Sequence, residues 1–330
     1  MCLFILWNCS NDKGNEPNLT IVPSVTTAIV SNVTEATAEC GGSVTSGGGA
    51  AVTARGVCWS TNPTPTIADN KTSDGSDTGS FTSSMTGLTN STPYYVRAYA
   101  TNNGGTGYGG IESFTTDDST GTVTDFNGNV YQTIKIGDQW WMAENLKVTH
   151  YRNGDPIPLV TDSVTWSSGP TTGAYCEYDN NPANVATYGR LYNWYAVDDS
   201  RNIAPAGWHV PTDEEWKQLE MFLGMSQAEA DGVASRGTDE GGKLKETGTT
   251  HWNSPNTGAT NESGFAALPG GFRQAIVNGG FFHQGEYAYF WSTTEVSNLA
   301  WNRRLYYLNS QVTRFDFRKG VGQSVRCVRD

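Results

Sequence analysis

The sequence predicts two domains of different class, an all-β antiparallel sandwich followed by an α+β domain. Three observations predict it. Residues 19–116 are dominated by Thr, Val, Ser, Gly and Ala in short alternating runs broken by turn clusters, the pattern of a two-sheet sandwich. Beyond residue 122, alternating runs are joined by helical spacing, most clearly at Thr212-Asp213-Glu214-Glu215-Trp216. And 330 residues are too many for one small domain and suit two.

The elements follow in order. Met1-Cys2-Leu3-Phe4-Ile5-Leu6-Trp7-Asn8-Cys9 is apolar but well short of the roughly 20 residues that span a bilayer, so no transmembrane helix is expected. It reads as the end of a secretory segment closing on a lipobox-like Leu6-Trp7-Asn8-Cys9. This makes Cys9 the expected lipidation site, and the missing basic n-region points to a start codon upstream, with a fortuitous apolar N-terminus as the other reading. Residues 1–18 are then signal remnant and polar tether. In the sandwich, Arg55-Gly56-Val57-Cys58-Trp59 is a strand carrying the expected core Trp, Tyr94 to Ala100 is another, and Asn102-Asn103-Gly104-Gly105 is a turn. Leu88, Thr92 and Tyr94 fit the Leu-x-Pro-x-Thr-x-Tyr corner, with Asn90 at the Pro position. On these residues 19–116 resemble an immunoglobulin/fibronectin-III-like spacer domain, and no chemistry is legible in them. Asp117 to Gly121 is the expected linker.

The second domain, 122–330, opens with a hairpin: Val130 to Ile136, a Gly137-Asp138 turn, and Gln139 to Leu146. Tyr188, Leu191, Tyr192 and Tyr195 recur at helical spacing and predict a helix over 188–197. Thr212 and Glu215 form a capping box for a second helix over 212–223, with Pro211 before it and Gly224 after it. Ser226 and Glu229 cap a short third one. From 263 onward the pattern returns to strands.

Several runs in this order carry a family resemblance. They are Asp125-Phe126-Asn127-Gly128-Asn129, Ile136 to Leu146, Tyr188 to Val197, Gly207 to Trp216, Gly264 to Arg273 and Ser324 to Asp330. The segment resembles the major paralogous domain family first described in Fibrobacter succinogenes, common in lipoproteins of Bacteroidetes-type bacteria. The resemblance implies a C-type-lectin-like α+β fold, shared with formylglycine-generating enzymes and phage-type variable binding proteins. One departure is Ala204, where many members have a Cys.

A net charge of −12 argues against a nucleic-acid partner, because phosphate binding needs a basic footprint. Apart from Cys2 and Cys9, the cysteines are Cys40, Cys58, Cys176 and Cys327. Domain boundaries favour pairing Cys40 with Cys58 and Cys176 with Cys327; four buried free thiols are the other reading.

The late strands carry the site argument. With a three-residue turn at Asn309-Ser310-Gln311, Trp301, Leu305, Tyr307, Phe315 and Phe317 face inward. Asn302, Arg304, Tyr306, Arg314, Asp316 and Arg318 then share the outer face. With Trp291 and Asn309 these are the expected ligand-binding residues, since Arg and Tyr on a rigid sheet offer contact area and directional donors at low entropy cost. The plain reading is a solvated face with a cross-strand pair such as Arg304 and Asp316. Catalysis, cofactors and metal are not expected. His150, His209, His251 and His283 do not cluster, and Cys176 and Cys327 match no copper motif. Asp125-x-Asn127-Gly128-Asn129 is half a calcium loop but a sufficient hairpin turn. The expectation is a non-enzymatic, exported, outer-membrane or cell-surface lipoprotein that recognises an extracellular glycan or protein. The alternatives are a retroelement-diversified variable binder, a structural envelope or adhesin subunit, and a formylglycine-generating-type enzyme.

Overall fold

A computed structural model describes residues 20–330, so the lipidation expected at Cys9 and the whole of the expected signal and tether lie outside the described residues. The chain divides into two compact units at Ser119/Thr120.

In the first unit, β1 (Ser24–Thr27), β2 (Ala38–Ser46), β3 (Ala54–Ser60), β4 (Asn70–Lys71), β5 (Gly79–Met85), β6 (Pro93–Asn102), β7 (Gly105–Tyr108) and β8 (Glu112–Thr115) form two antiparallel sheets. One has the order β1-β2-β5 and the other β4-β3-β6-β7, with β8 also on β6. Val57, Trp59, Tyr94 and Val96 from one sheet meet Ala38, Cys40 and Met85 from the other. The Tyr94 hydroxyl accepts the Thr89 N–H at 3.1 Å, which pins the corner. The disulfide expected between Cys40 and Cys58 is absent: both are buried free thiols. Alternation explains it, because Val57 and Trp59 point into the core while Cys58 between them points away.

In the second unit, β9 (Thr120–Thr124) pairs with β10 (Val130–Ile136), so the end of the expected linker is already strand. Gly137, at φ +61°, turns β10 into β11 (Gln139–Met142). There follow α1 (Ser163–Ser167), β12 (Tyr175–Cys176), α2 (Val185–Tyr188), β13 (Leu191–Tyr192), α3 (Trp194–Val197), β14 (Trp208–His209), α4 (Asp213–Phe222), α5 (Gln227–Asp231), β15 (Ala234–Arg236) and α6 (Glu240–Leu244). The late strands are β16 (Gly270–Arg273), β17 (Phe281–Gln284), β18 (Tyr287–Val296), β19 (Leu299–Tyr306), β20 (Val312–Arg318) and β21 (Val328–Arg329). Strands dominate. One sheet runs β14-β21-β11-β10-β9 and another β15-β20-β19-β18.

The helix expected over 188–197 does not form as one element. Gly189 adopts φ +70°, and a Cβ there would meet Asn145 Cβ at 2.7 Å and Leu146 O at 2.8 Å. Beyond it Leu191 and Tyr192 pair with β12, and Tyr192 exchanges backbone bonds with Gln323 at 2.9 and 3.0 Å. Tertiary pairing overrides the local period. Helix α4 forms with both halves of its Thr212/Glu215 capping box, and α5 with those of Ser226/Glu229. Trp216 of α4 packs between Trp141, Phe265 and Phe290, with ring centroids 4.8–5.8 Å away, and so seats the helix on the four-stranded sheet. Cys176 and Cys327 are free thiols in separate clusters, Cys176 beside Trp166 and Leu191, Cys327 beside Tyr131 and Val325, so this expected disulfide is absent too.

Candidate functional site

The register of β19 against β20 decides which side chains share a face. Leu305 pairs with Val312, so six residues, not three, lie in the turn, and Arg303 pairs with Arg314. A turn of the other parity exchanges the two faces of β20. Asn302, Arg304 and Tyr306 therefore share a face with Thr313, Phe315 and Phe317, while Arg314, Asp316 and Arg318 lie with Trp301 and Arg303 on the α4 side.

The expected outer face is corrected accordingly. Trp291 (0% exposed), Asn302 (1%) and Arg314 (7%) are buried, and Phe315, expected inside, is 47% exposed. Trp291 is a core residue whose Nε1 donates to Tyr192 O at 2.9 Å. Neither side-chain amide atom of Asn302 has a hydrogen-bond partner among the described residues. Arg304 and Asp316, taken as a possible cross-strand pair, sit opposite Thr313 and Trp301 respectively. Arg304 instead lies over the Tyr287 ring at 5.1 Å. Tyr287 stacks on Tyr306 at 4.3 Å and 13°. Asn309 lends its carbonyl to Lys245. Asp316 and Arg318 remain at the surface.

Arginines reach the interior because α4 supplies counter-charges. Asp213 Oδ1 accepts from Arg303 at 2.6 Å and Arg314 at 2.9 Å, and its Oδ2 from Arg314 at 2.7 Å. Glu220 accepts from Arg303 at 2.6 Å and Arg236 at 2.8 Å. Burial works against the Asp213 charge, but the Arg314 hydrogen bonds and the Arg303 charge hold its pKa below the usual carboxylate value. Asp213 thus has a structural role beyond complementing the helix dipole.

Other cations hold loops through carbonyls. Lys245 Nζ, fully buried, donates to Thr257 O, Tyr306 O and Asn309 O at 2.8–3.1 Å, and burial pushes its pKa down to about 8. Arg273 donates to Gly279 O, Val160 O and Thr161 O. Arg326 reaches Asn145 Oδ1, Phe265 O and Ala266 O. Both oxygens of Asp125 are occupied by donors: the N–H groups of Asn127 and Asn129, Asn129 Nδ2 and the Tyr131 hydroxyl, at 2.6–3.0 Å. This carboxylate closes a turn.

His209 bridges Glu215 Oε1 and Asp330 Oδ1, each at 2.7 Å. The Glu215 bond, opposed by burial and assisted by Asp330, raises its pKa above 6.5. Burial opposes the Glu215 charge, but His209 and Thr212 hold its pKa below 4.5. A raised histidine contributes stability that is complete below 6.5 and lost as pH rises through the folded value. The lowered glutamate contributes above 4.5 and loses that as pH falls through its folded value. His209→Gln is expected to cost more stability near pH ~6 than near pH ~9. Urea midpoints at the two pH values check it, and equal deficits would remove His209 from this role.

One groove among the described residues, of about 450 Å³, is lined by Gln274, Ala275, Ile276, Asn298, Leu299, Phe315, Asp316, Phe317, Arg318 and Val321. A smaller hollow, sharing Ile276 and Arg318, adds Tyr195 and Lys319. Phe317 anchors the floor against Phe272 at 5.9 Å, and Phe315 packs on Phe317 at 6.0 Å. The side chains of Asn298, Asp316 and Arg318 make no hydrogen bond or ion pair to any described residue. Of the expected binding residues, Asp316 and Arg318 come together here; Arg304, Tyr306 and Asn309 do not line it. Phe315 and Ile276 were missed. The available signal was the apolar pair Ile276-Val277 beside the turn sequence Asn278-Gly279-Gly280, an exposed apolar loop tip.

The Fibrobacter succinogenes major domain matches residues 134–329. Among solved structures the chain is similar to the sensor domain of the anti-sigma factor RsgI4 of Pseudobacteroides cellulosolvens, at 12% identity over 29% of this chain and 94% of that one, TM-score 0.22. It is also similar to a fibronectin type III domain of the human KIAA0970 protein, at 16% identity over 34% of this chain and 88% of that one, TM-score 0.24. The third fibronectin III domain of human KIAA0343 matches at 17% identity over 34% and 97%, TM-score 0.21. No curated protein matches the chain.

Proposed function

The chain belongs to the Fibrobacter succinogenes major domain family through residues 134–329, and from that premise we propose a non-enzymatic, exported and lipid-anchored surface protein. Its second unit, read as a C-type-lectin-like α+β domain, recognises an extracellular glycan or protein. The groove at Phe315 carries the proposal. An apolar floor with a few convergent polar groups is the usual form of a ligand site. Here Asn298, Asp316 and Arg318 line the groove with Phe315, Phe317 and Ile276, their side chains without partners among the described residues. Elsewhere in the unit, Arg236, Arg273, Arg303, Arg314 and Arg326 are committed to internal bonds. Burial pushes the Cys176 thiol up to about 12, the opposite of an activated nucleophile.

The test is an array of glycans and surface proteins probed with the full chain, with and without EDTA, beside a Phe315→Ala/Arg318→Ala double variant. Loss of at least about tenfold in affinity in the variant, with EDTA without effect, is expected, because truncating a central anchor costs more than ~1 kcal/mol. Binding unchanged in the variant moves the site away from the groove. Absence of any binding favours the structural-subunit reading.

A further inference from the structure

We propose that the open edge of β20 at Asp316 and Arg318 is a strand-addition site for an extended polypeptide segment that carries an apolar side chain beside a carboxylate. This rests on the reading of the groove as a ligand site and names its ligand class.

The backbone directions follow from one bond and the register. The Tyr307 N–H donates to Glu286 O at 3.0 Å, so the odd residues of β19 turn their amides toward β18 and the even ones toward β20. Ala300 pairs with Phe317, Asn302 with Phe315 and Arg304 with Thr313, so the odd residues of β20 turn toward β19. Val312, Arg314, Asp316 and Arg318 turn the other way. There β15 covers Val312 to Arg314, through Arg236 and Ala234, and stops. Beyond that point no described backbone group reaches the N–H or C=O of Asp316, while the Arg318 carbonyl accepts from the Val321 N–H at 3.0 Å. On the far side of the sheet the corresponding position is occupied, since the Trp291 N–H donates to Ser324 O at 3.2 Å. The edge is therefore open where it borders the groove: Phe315, Asp316, Phe317 and Arg318 all line it.

An extended chain matches this arrangement. The Asp316 and Arg318 amides lie two residues apart, roughly 7 Å along the strand, which is the repeat of outward backbone groups in a partner strand. A saccharide has no backbone of that period. Alternate side chains of an added strand point to one face, so one of them enters the apolar groove, as strand-addition ligands do. The Arg318 side chain has no partner among the described residues, so its complement is a carboxylate on the incoming segment.

The probe is a phage-displayed library of random dodecapeptides selected on the full chain, followed by the best sequence as a synthetic peptide. N-methylation at alternate residues gives two versions of that peptide, one for each parity. Asp316→Pro removes the open N–H at an edge position that tolerates proline, and Asp316→Ala keeps it. The expected result is binding at least tenfold weaker for Asp316→Pro than for Asp316→Ala, with one N-methyl parity inactive and the other active. Equal binding by both parities overturns the proposal, whether or not Asp316→Pro folds, and so does equal binding by the two variants. A library that yields no peptide, beside glycan binding lost in the Phe315→Ala/Arg318→Ala variant, overturns strand addition and leaves the recognition site standing.

Discussion

Asp213→Ala is expected to destabilise the second unit by about 3–5 kcal/mol, because it leaves buried guanidinium groups without their counter-charge. At the usual response of a domain of this size, its melting temperature falls by roughly 10 °C. Two of the four carboxylates of α4, Asp213 and Glu220, face three guanidinium groups from β15, β19 and β20, and each of the two is shared by two guanidinium groups. Without Asp213, Arg314 keeps as hydrogen-bond acceptors the carbonyls of Asp231 and Gly232, at 3.1 and 3.4 Å, and its contact with the Trp301 ring at 3.7 Å, but no carboxylate. Arg303 keeps only Glu220 as a charged partner. Asp213→Asn is expected to cost less, since the carboxamide oxygen still accepts a hydrogen bond. Urea unfolding followed by tryptophan fluorescence reads the effect, because nine of the 11 tryptophans lie at residue 140 or beyond. A loss under about 1 kcal/mol would mean that water reaches the cluster and screens it.

Arg326→Ala is the second large effect, expected at about 4 kcal/mol from a large-to-small core change plus orphaned acceptors. Arg326 is fully buried, its guanidinium 4.2 Å from the Phe265 ring centre and 5.4 Å from that of Phe290. The same group ties Asn145 to the carbonyls of Phe265 and Ala266, so the segment leading into β21 is joined to two distant loops. Arg326→Lys restores the charge but not the planar fork, and is expected to recover less than half of the loss. Full recovery by lysine, seen in the same urea series, would show that charge alone matters at this position.

What the sequence revealed divides along the line between local and distant causes. The α4 and α5 caps, the Gly137 hairpin and the Tyr94 corner are short-range devices, and all four form at the expected residues. The helix expected over 188–197 failed because its period competes with pairing to β12 and Gln323, partners invisible in the local pattern. The site was half legible. Arg318 and Asp316 were identified as surface contact residues, but Trp291, Asn302 and Arg314 were placed outside although they are core. Nothing in the alternation of 299–318 says that Asp213 and Glu220, 83 to 101 residues earlier, will neutralise arginines pointing inward. An arginine on a strand reads as solvent-facing until its buried counter-ion is known.

The six residues between Leu305 and Val312 are held by Lys245, whose ammonium donates to the carbonyls of Tyr306 and Asn309 within the bend. Their number, more than their chemistry, tells β20 which side is which. Inserting or deleting one residue there would send Phe315 and Phe317 into the acidic side of α4 and turn Arg314 out to water, whereas a change of two would leave both faces intact. The length of this bend is thus constrained in parity: an even change keeps the faces of β20, and an odd one exchanges them.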